Sequence, residues 1–277
     1  MRYENPTVPE GINTSRGHPL KRLLFLFAAL FFLLVIVVFS LRLMAVWAAP
    51  YIPFAYEQRL VGHYFSQDEK SESHARLLSY LQWLAQRLTK AANLPDDMTV
   101  TIHYRDEPMV NAVAMPGGHI VIYRGLLERL DSENALAMVM AHEIAHVKRR
   151  HPLINLGSGV VFSLVIAVVT GSTGDAVTGR IIGQLGRIAD LGFSREQELQ
   201  ADFDALYAVH ALYGHVSGAD DLYSVLLQEA EDDLSSRVPE FMQTHPVLKK
   251  RLERLRGVIR ERNWPDDRPV LMLPDFN

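Results

Sequence analysis

The chain has 277 residues, 48% apolar and 22% charged, with a formal net charge of −4 and a mean hydropathy of +0.03. These values exclude a disordered, collagen-like or low-complexity protein, and the weak charge leaves no footprint for nucleic acid. The absence of cysteine excludes a disulfide scaffold, thiolate catalysis, iron–sulfur clusters and thiolate-held zinc, so any metal must be held by His, Asp or Glu.

The near-neutral hydropathy averages over local extremes. Residues 23–41 carry no charge, and 19 helical residues span about 28 Å, close to the thickness of a bilayer core. Arg2, Arg16, Lys21 and Arg22 precede the run, and only Arg42 and Arg59 lie in the comparable stretch after it. That bias predicts a cytoplasmic N-terminus and a single-pass topology, with the bulk of the chain exported. In a Gram-negative bacterium this means an inner-membrane anchor and a periplasmic domain. Trp47 and Tyr51 suit the interface. A cleaved signal peptide is the rival reading, with Val46-Trp47-Ala48 as a small-residue site. The apolar run is longer than the usual signal core, follows a 22-residue leader and is closed by Arg42, which favours an uncleaved anchor.

Residues 42–72 read as a linker and docking segment. Leu77, Leu78, Leu81, Leu84 and Leu88 recur at helical spacing between Ser73 and Asn93. Met98–Tyr104 alternates like a strand. Val110–Met115 and His119–Tyr123 flank Pro116-Gly117-Gly118, the pattern of a β-hairpin. A short helix over about Gly125–Leu130 follows. Ser132 caps the next helix, which has Glu133 in its first turn and runs to about Arg150. Ser194 with Gln197 forms a capping box for a helix reaching about Leu212. Another helix covers Ala219–Glu231, and Pro246 suits the first turn of a last one to Arg262. The tail over 263–277 reads as extended.

The chemistry lies in His142-Glu143-Ile144-Ala145-His146. Residues four apart share one face of a helix, so His142 and His146 can bind one Zn²⁺ while Glu143 takes a proton from zinc-bound water. A catalytic zinc needs a third protein ligand and an open position. Position 152 is Pro, which excludes a third His six residues after the second. A Glu on a later helix is the alternative, and Glu198 lies in such a segment. Asp202, one turn on, can accept the free N–H of a ligand imidazole, with His142 the expected partner. Glu196 faces elsewhere and suits the helix dipole. His245-Pro246 also reads as a plain helix-start signal. His151, His210 and His215 fit no ligand spacing and read as structural or surface residues.

His142–His146, then Ser194–Asp202, then Thr244-His245-Pro246 with Arg251 resemble the M48 metallopeptidase family, which includes the prenyl-CAAX, HtpX-type and Oma-type peptidases. Asn111–Gly118 followed by Gly125-Leu126-Leu127 is similar to another segment of that family. The resemblance covers roughly residues 75–260. It implies a gluzincin-type domain, α+β and mostly α, with a small sheet or hairpin beside the active-site helix and one transmembrane helix before it. It implies one Zn²⁺ per chain held by His142, His146 and Glu198, with Glu143 as general base. His245 would stabilise the oxyanion or plug the resting site, and Arg251 would support that region. A peptide substrate could add as a strand along Asn111, Ala112, Val113 and Ala114; their bland role is core sheet.

The domain so read spans 73–262. Within it, 152–174 is uncharged and long enough to cross a membrane. One crossing would separate His142 and His146 from Glu198, and a return through 176–193 would bury Arg180, Arg187 and Asp190 at high cost. A buried helix, a re-entrant hairpin or a surface segment is therefore expected, with two crossings, as in the multi-pass members of the family it resembles, the alternative; its position also suits a substrate gate. The function expected is a membrane-anchored zinc endopeptidase acting on envelope or misfolded proteins, with protein or peptide substrates and lipid contact through 23–41. The rivals are a non-catalytic chaperone or adaptor on a peptidase fold and a maturation protease for a single partner.

Overall fold

The computed structural model describes residues 19–65, 74–157, 159, 192–232, 241, 245 and 248–276. The apolar stretch 152–174 lies outside the described residues beyond its first turns, as do the starting residues of the last helix around Pro246.

Helix α1, Pro19–Ala48, continues the apolar run past residue 41. Its large side chains, among them Leu24, Phe25, Phe31 and Phe39, are exposed. It is long and apolar enough to cross a membrane. A short 3₁₀ turn leads into α2, Phe54–Phe65, so the stretch expected as a linker contains a helix. Helix α3, Ala75–Ala91, buries Leu77, Leu81, Leu84, Ala85 and Leu88 along one face. Each such leucine contributes about 1.5–3 kcal/mol on leaving water.

Three strands follow: β1 (Thr101–Arg105), β2 (Ala112–Ala114) and β3 (His119–Tyr123), in the spatial order β1-β3-β2. β3 runs parallel to β1 and antiparallel to β2, with Ala112 opposite Ile122 and Ala114 opposite Ile120. The expected hairpin is present, and β2 is an edge strand, as is β1 on the other side. The hairpin turn is pinned from below by α2. Gly117 and Gly118 have φ of 77° and 79°, which favours glycine. A Cβ on Gly117 would meet the Gln58 backbone at 2.8 Å, and one on Gly118 would meet the Thr99 carbonyl at 1.9 Å. The buried Glu57 carboxylate accepts the Gly117 N–H at 2.9 Å and pairs with buried Arg150.

After a single turn at Arg124–Leu127, helix α4 (Glu133–Lys148) runs through the centre of the domain. The Ser132 side chain caps it by accepting the Ala135 N–H at 3.1 Å. Every residue from Glu133 to Val147 is buried. Helix α5, Arg195–Tyr213, packs along α4 and opens with the expected capping box of Ser194 and Gln197. Helices α6 (Asp221–Asp232) and α7 (Leu248–Arg262) close the core through Leu222, Tyr223, Leu226, Leu252 and Leu255. The tail is tied across the start of α4: Glu133 N–H donates to the Leu271 carbonyl, and Leu271 N–H to Asn134 Oδ1, both at 2.8 Å.

Candidate metal centre

One helical turn separates His142 from His146 on α4, and their Nε2 atoms lie 3.0 Å apart. Glu198 reaches both rings from the first turn of α5: Oε2 is 3.6 Å from His142 Nε2, and Oε1 is 3.5 Å from His146 Nε2. His245 enters from the far side. Its Nδ1 is 3.0 Å from Glu198 Oε1 and 3.3 Å from His142 Nε2. One ligand atom from each of the four residues falls within a 4.8 Å cluster, and all four residues are buried.

The donor set fits a metal ion. Bonds of about 2.0–2.1 Å in a tetrahedron separate neighbouring ligand atoms by about 3.3 Å, close to the spacings seen here. Imidazole nitrogens and a carboxylate match the preferences of Zn²⁺. Lone pairs turned toward one another at such distances in a buried site repel unless positive charge lies among them.

The surroundings favour positive charge. Burial alone would lower the His142 pKa, but hydrogen bonds and charge from Asp202 and Glu198 outweigh it and raise it to about 9. Asp202 Oδ1 lies 3.0 Å from His142 Nδ1. Arg251 grips Asp202 with two bonds, Nε to Oδ2 at 2.8 Å and Nη2 to Oδ1 at 2.6 Å, while Nη1 pairs with Glu198. The Tyr223 hydroxyl donates to Asp202 Oδ1 at 3.0 Å. Burial pushes the Asp202 carboxyl up, yet Arg251 holds it down at about 2. Glu198, raised by burial, is likewise brought well below the carboxylate range by His245 and His142.

Glu143 points beside the cluster. Its Oε2 accepts the Ala114 N–H from β2 at 2.8 Å. Its Oε1 has no hydrogen-bond partner among the described residues and lies 3.6 Å from His245 Nε2, which is also unpartnered. Burial raises the Glu143 pKa, with His245 and His142 opposing.

Ala112, Val113 and Ala114 form the edge strand β2. Asn111 is buried just before it, its carbonyl accepting the Tyr123 N–H at 3.2 Å. Val113 sits in a small cluster with Val61, Phe65, Met115 and Val121. The opposed pairs Ala112–Ile122 and Ala114–Ile120 leave the Ala112 and Ala114 backbone groups facing away from β3. Outside this edge, Phe241 N–H donates to the Val110 carbonyl at 3.1 Å, and the Phe241 ring stacks on His245.

Three neighbours escaped sequence reasoning. His151, which fits no ligand spacing, places its Nδ1 2.9 Å from His146 Nδ1, in keeping with a structural rather than a surface role. Phe193 stacks on the His146 ring with centroids 3.7 Å apart. Tyr223 completes the hold on Asp202. A histidine five residues after a ligand breaks the i, i+4 rule, and Phe193 and Tyr223 carry no ligand signal. His210 stacks on Trp264, and His215 accepts the Ser217 N–H, both away from the cluster.

Comparisons with known proteins agree with this geometry. The family described as Peptidase family M48 matches residues 76–259. The beta-barrel assembly-enhancing protease of Escherichia coli is 31% identical over 193 residues, covering 64% of this chain and 37% of that protein. The mitochondrial metalloendopeptidase OMA1 of Schizosaccharomyces pombe is 25% identical over 181 residues, covering 64% of this chain and 51% of that protein. A putative beta-barrel assembly-enhancing protease of Vibrio cholerae is 29% identical over 216 residues, covering 73% and 42%. The chain thus spans about a third to a half of the length of these curated relatives. The matched span takes in α4, the edge strand and α5 together, so the helix bearing both histidines and the helix bearing Glu198 fall within one family domain: the chain belongs to Peptidase family M48.

Proposed function

We propose that the chain is a membrane-anchored zinc endopeptidase. The observation that carries this reading is the convergence of His142, His146, Glu198 and His245 with an unpartnered Glu143 oxygen beside them. His142, His146 and Glu198 would hold one Zn²⁺, with Asp202, fixed by Arg251 and Tyr223, orienting His142. Zn²⁺ bound there supplies a Lewis acid that polarises the scissile carbonyl and acidifies water.

The chain's own groups do the rest. Glu143 is the general base: Ala114 anchors Oε2, so Oε1 faces the reacting water, takes its proton and passes it to the leaving amine. A raised carboxyl pKa brings this acid–base work nearer neutrality. The outward backbone groups of Ala112 and the Ala114 carbonyl suit an extended peptide laid along Ala112–Ala114. The Ala114 N–H ties that strand to Glu143, so the edge that would bind substrate also orients the base.

His245 fits a plug better than a preformed oxyanion donor. Its Nδ1 is among the ligand atoms, and a site closed by four protein ligands lacks the open position that catalysis needs. Displacement of His245 would open that position and leave its imidazole free to donate to the oxyanion. The exposed apolar surface of α1 supports anchoring through 23–41. The flanking charges favour a cytoplasmic N-terminus and a periplasmic catalytic domain in a bacterial inner membrane, where envelope and misfolded proteins are the accessible substrates.

Zinc analysis with casein digestion tests this reading. Glu143→Gln should retain one zinc per chain and lose about 10²–10⁴-fold in cleavage, while Glu198→Ala should lose zinc. Equal cleavage by wild type and Glu143→Gln overturns the catalytic assignment, leaving the chaperone or adaptor role.

A further inference from the structure

The first three chemical residues of α4 are held from different sides. Asp202 meets His142, and Ala114 meets Glu143. Among the described residues, His146 has no carboxylate at its Nδ1. It meets His151 there, at 2.9 Å, and both rings are buried.

Tautomer logic gives this contact a direction. His146 Nε2 faces His142 Nε2 and Glu198, so it is the atom turned toward the metal. A neutral imidazole coordinating through Nε2 carries its proton on Nδ1. That proton points at His151 Nδ1, which must accept it. The His151 proton is then on its Nε2. Phe193 lies flat against the other side of the His146 ring, 3.7 Å between centroids and 21° between planes, which limits rotation about χ2.

We propose that His151 is a positioning residue for the metal centre: it accepts the His146 Nδ1–H and thereby fixes the tautomer and plane in which His146 offers Nε2 to zinc. The inference rests on the zinc reading above. It treats the ligand pair as unequal, with His142 oriented by a carboxylate and His146 by a neutral imidazole. Local backbone geometry supports a special role for this corner. Arg150, the residue before His151, adopts φ of 59°, uncommon for a non-glycine side chain. Its guanidinium is held by Glu57 and by the Ile52 carbonyl at 2.7 Å. The turn that brings His151 back over His146 is thus anchored by the α2 segment.

The test uses the full chain in detergent, with zinc affinity measured by chelator competition and the visible spectrum recorded after Co²⁺ loading. His151→Leu removes the acceptor and should weaken zinc binding about 10- to 100-fold and alter the Co²⁺ bands. His151→Gln restores a carbonyl acceptor and should bring both readouts back to within a few-fold of wild type. Melting of the metal-free variants monitors folding, and if the Leu variant does not fold, the comparison of His151→Gln with His151→Met serves in its place. Wild-type zinc affinity and an unchanged spectrum in the acceptor-less variant overturn the proposal. A Gln variant as impaired as the acceptor-less one assigns His151 to packing and overturns it equally. Failure of the wild-type chain to bind zinc would instead overturn the metal reading itself.

Discussion

Helices α1 and α4 are both largely apolar, and neither confines its apolar residues to one stripe. Their environments are opposite. α1 has its large side chains exposed along its length, while α4 is buried from Glu133 to Val147. A helix apolar all round suits either lipid or the centre of a protein. What separates the two is where polar groups are tolerated. The core of α1 has none, because lipid offers no partners. α4 carries His142, Glu143 and His146 in its second half, because β2 and α5 bring a backbone N–H and two carboxylates to them and α7 brings an arginine to the carboxylates. Protein surroundings convert a buried polar group from a liability into a site.

Breaking the polar surroundings of α4 should have the largest effect. Arg251→Met leaves the buried carboxylates of Asp202 and Glu198 without their guanidinium, a loss of about 3–5 kcal/mol, read as a shift in denaturant midpoint. The same pair sets an acid limit. Asp202 has a folded pKa of about 2 against an ordinary 3.8, so the stability it contributes is fully present above about pH 4. That contribution declines as pH falls through the window down to about 2. Acid unfolding of the metal-free chain should lose this component in Arg251→Met.

Apolar packing and lipid contact can then be separated. Leu136→Ala in α4 should cost about 2–5 kcal/mol of domain stability and leave membrane fractionation unchanged. Leu33→Arg in α1 should oppose insertion by about 2.5–3.5 kcal/mol, release the chain from membranes and leave the melting of the domain intact. A domain destabilised by Leu33→Arg would mean that α1 packs on protein. The smallest effect is expected at the start of α4: Ser132→Ala removes one cap and should cost about 1 kcal/mol by chemical denaturation.

Much of this was legible in sequence. The stripe of leucines in α3, the caps at Ser132 and Ser194, and the hairpin around Pro116-Gly117-Gly118 are written in residues a few positions apart. The spacing of His142 and His146 likewise places two imidazoles on one face of any helix. Other features were not legible. Helix α2 lies in a stretch that reads as a linker because its role is to cover a turn some sixty residues away, through Glu57 and Gly117. His151 looks incidental because its approach to His146 depends on a left-handed residue at Arg150, which favours no particular neighbour in the sequence.

The division follows the range of the forces. Helical pitch, strand alternation and capping are short-range constraints, so the sequence alone determined helices α3 to α7, the apolar segment of α1, the absence of thiol ligands and the face bearing the two histidines. The contact of His245 with His142 joins residues 103 positions apart, and that with Glu198 joins residues 47 apart. Such pairs are chosen by the packing of whole elements around a buried core. Only the tertiary structure decided that Arg251 and Tyr223 would join His142 on Asp202, that His245 would close on His142 and Glu198, and that His151 would face His146, because each depends on where α5, α6, α7 and the end of α4 come to rest.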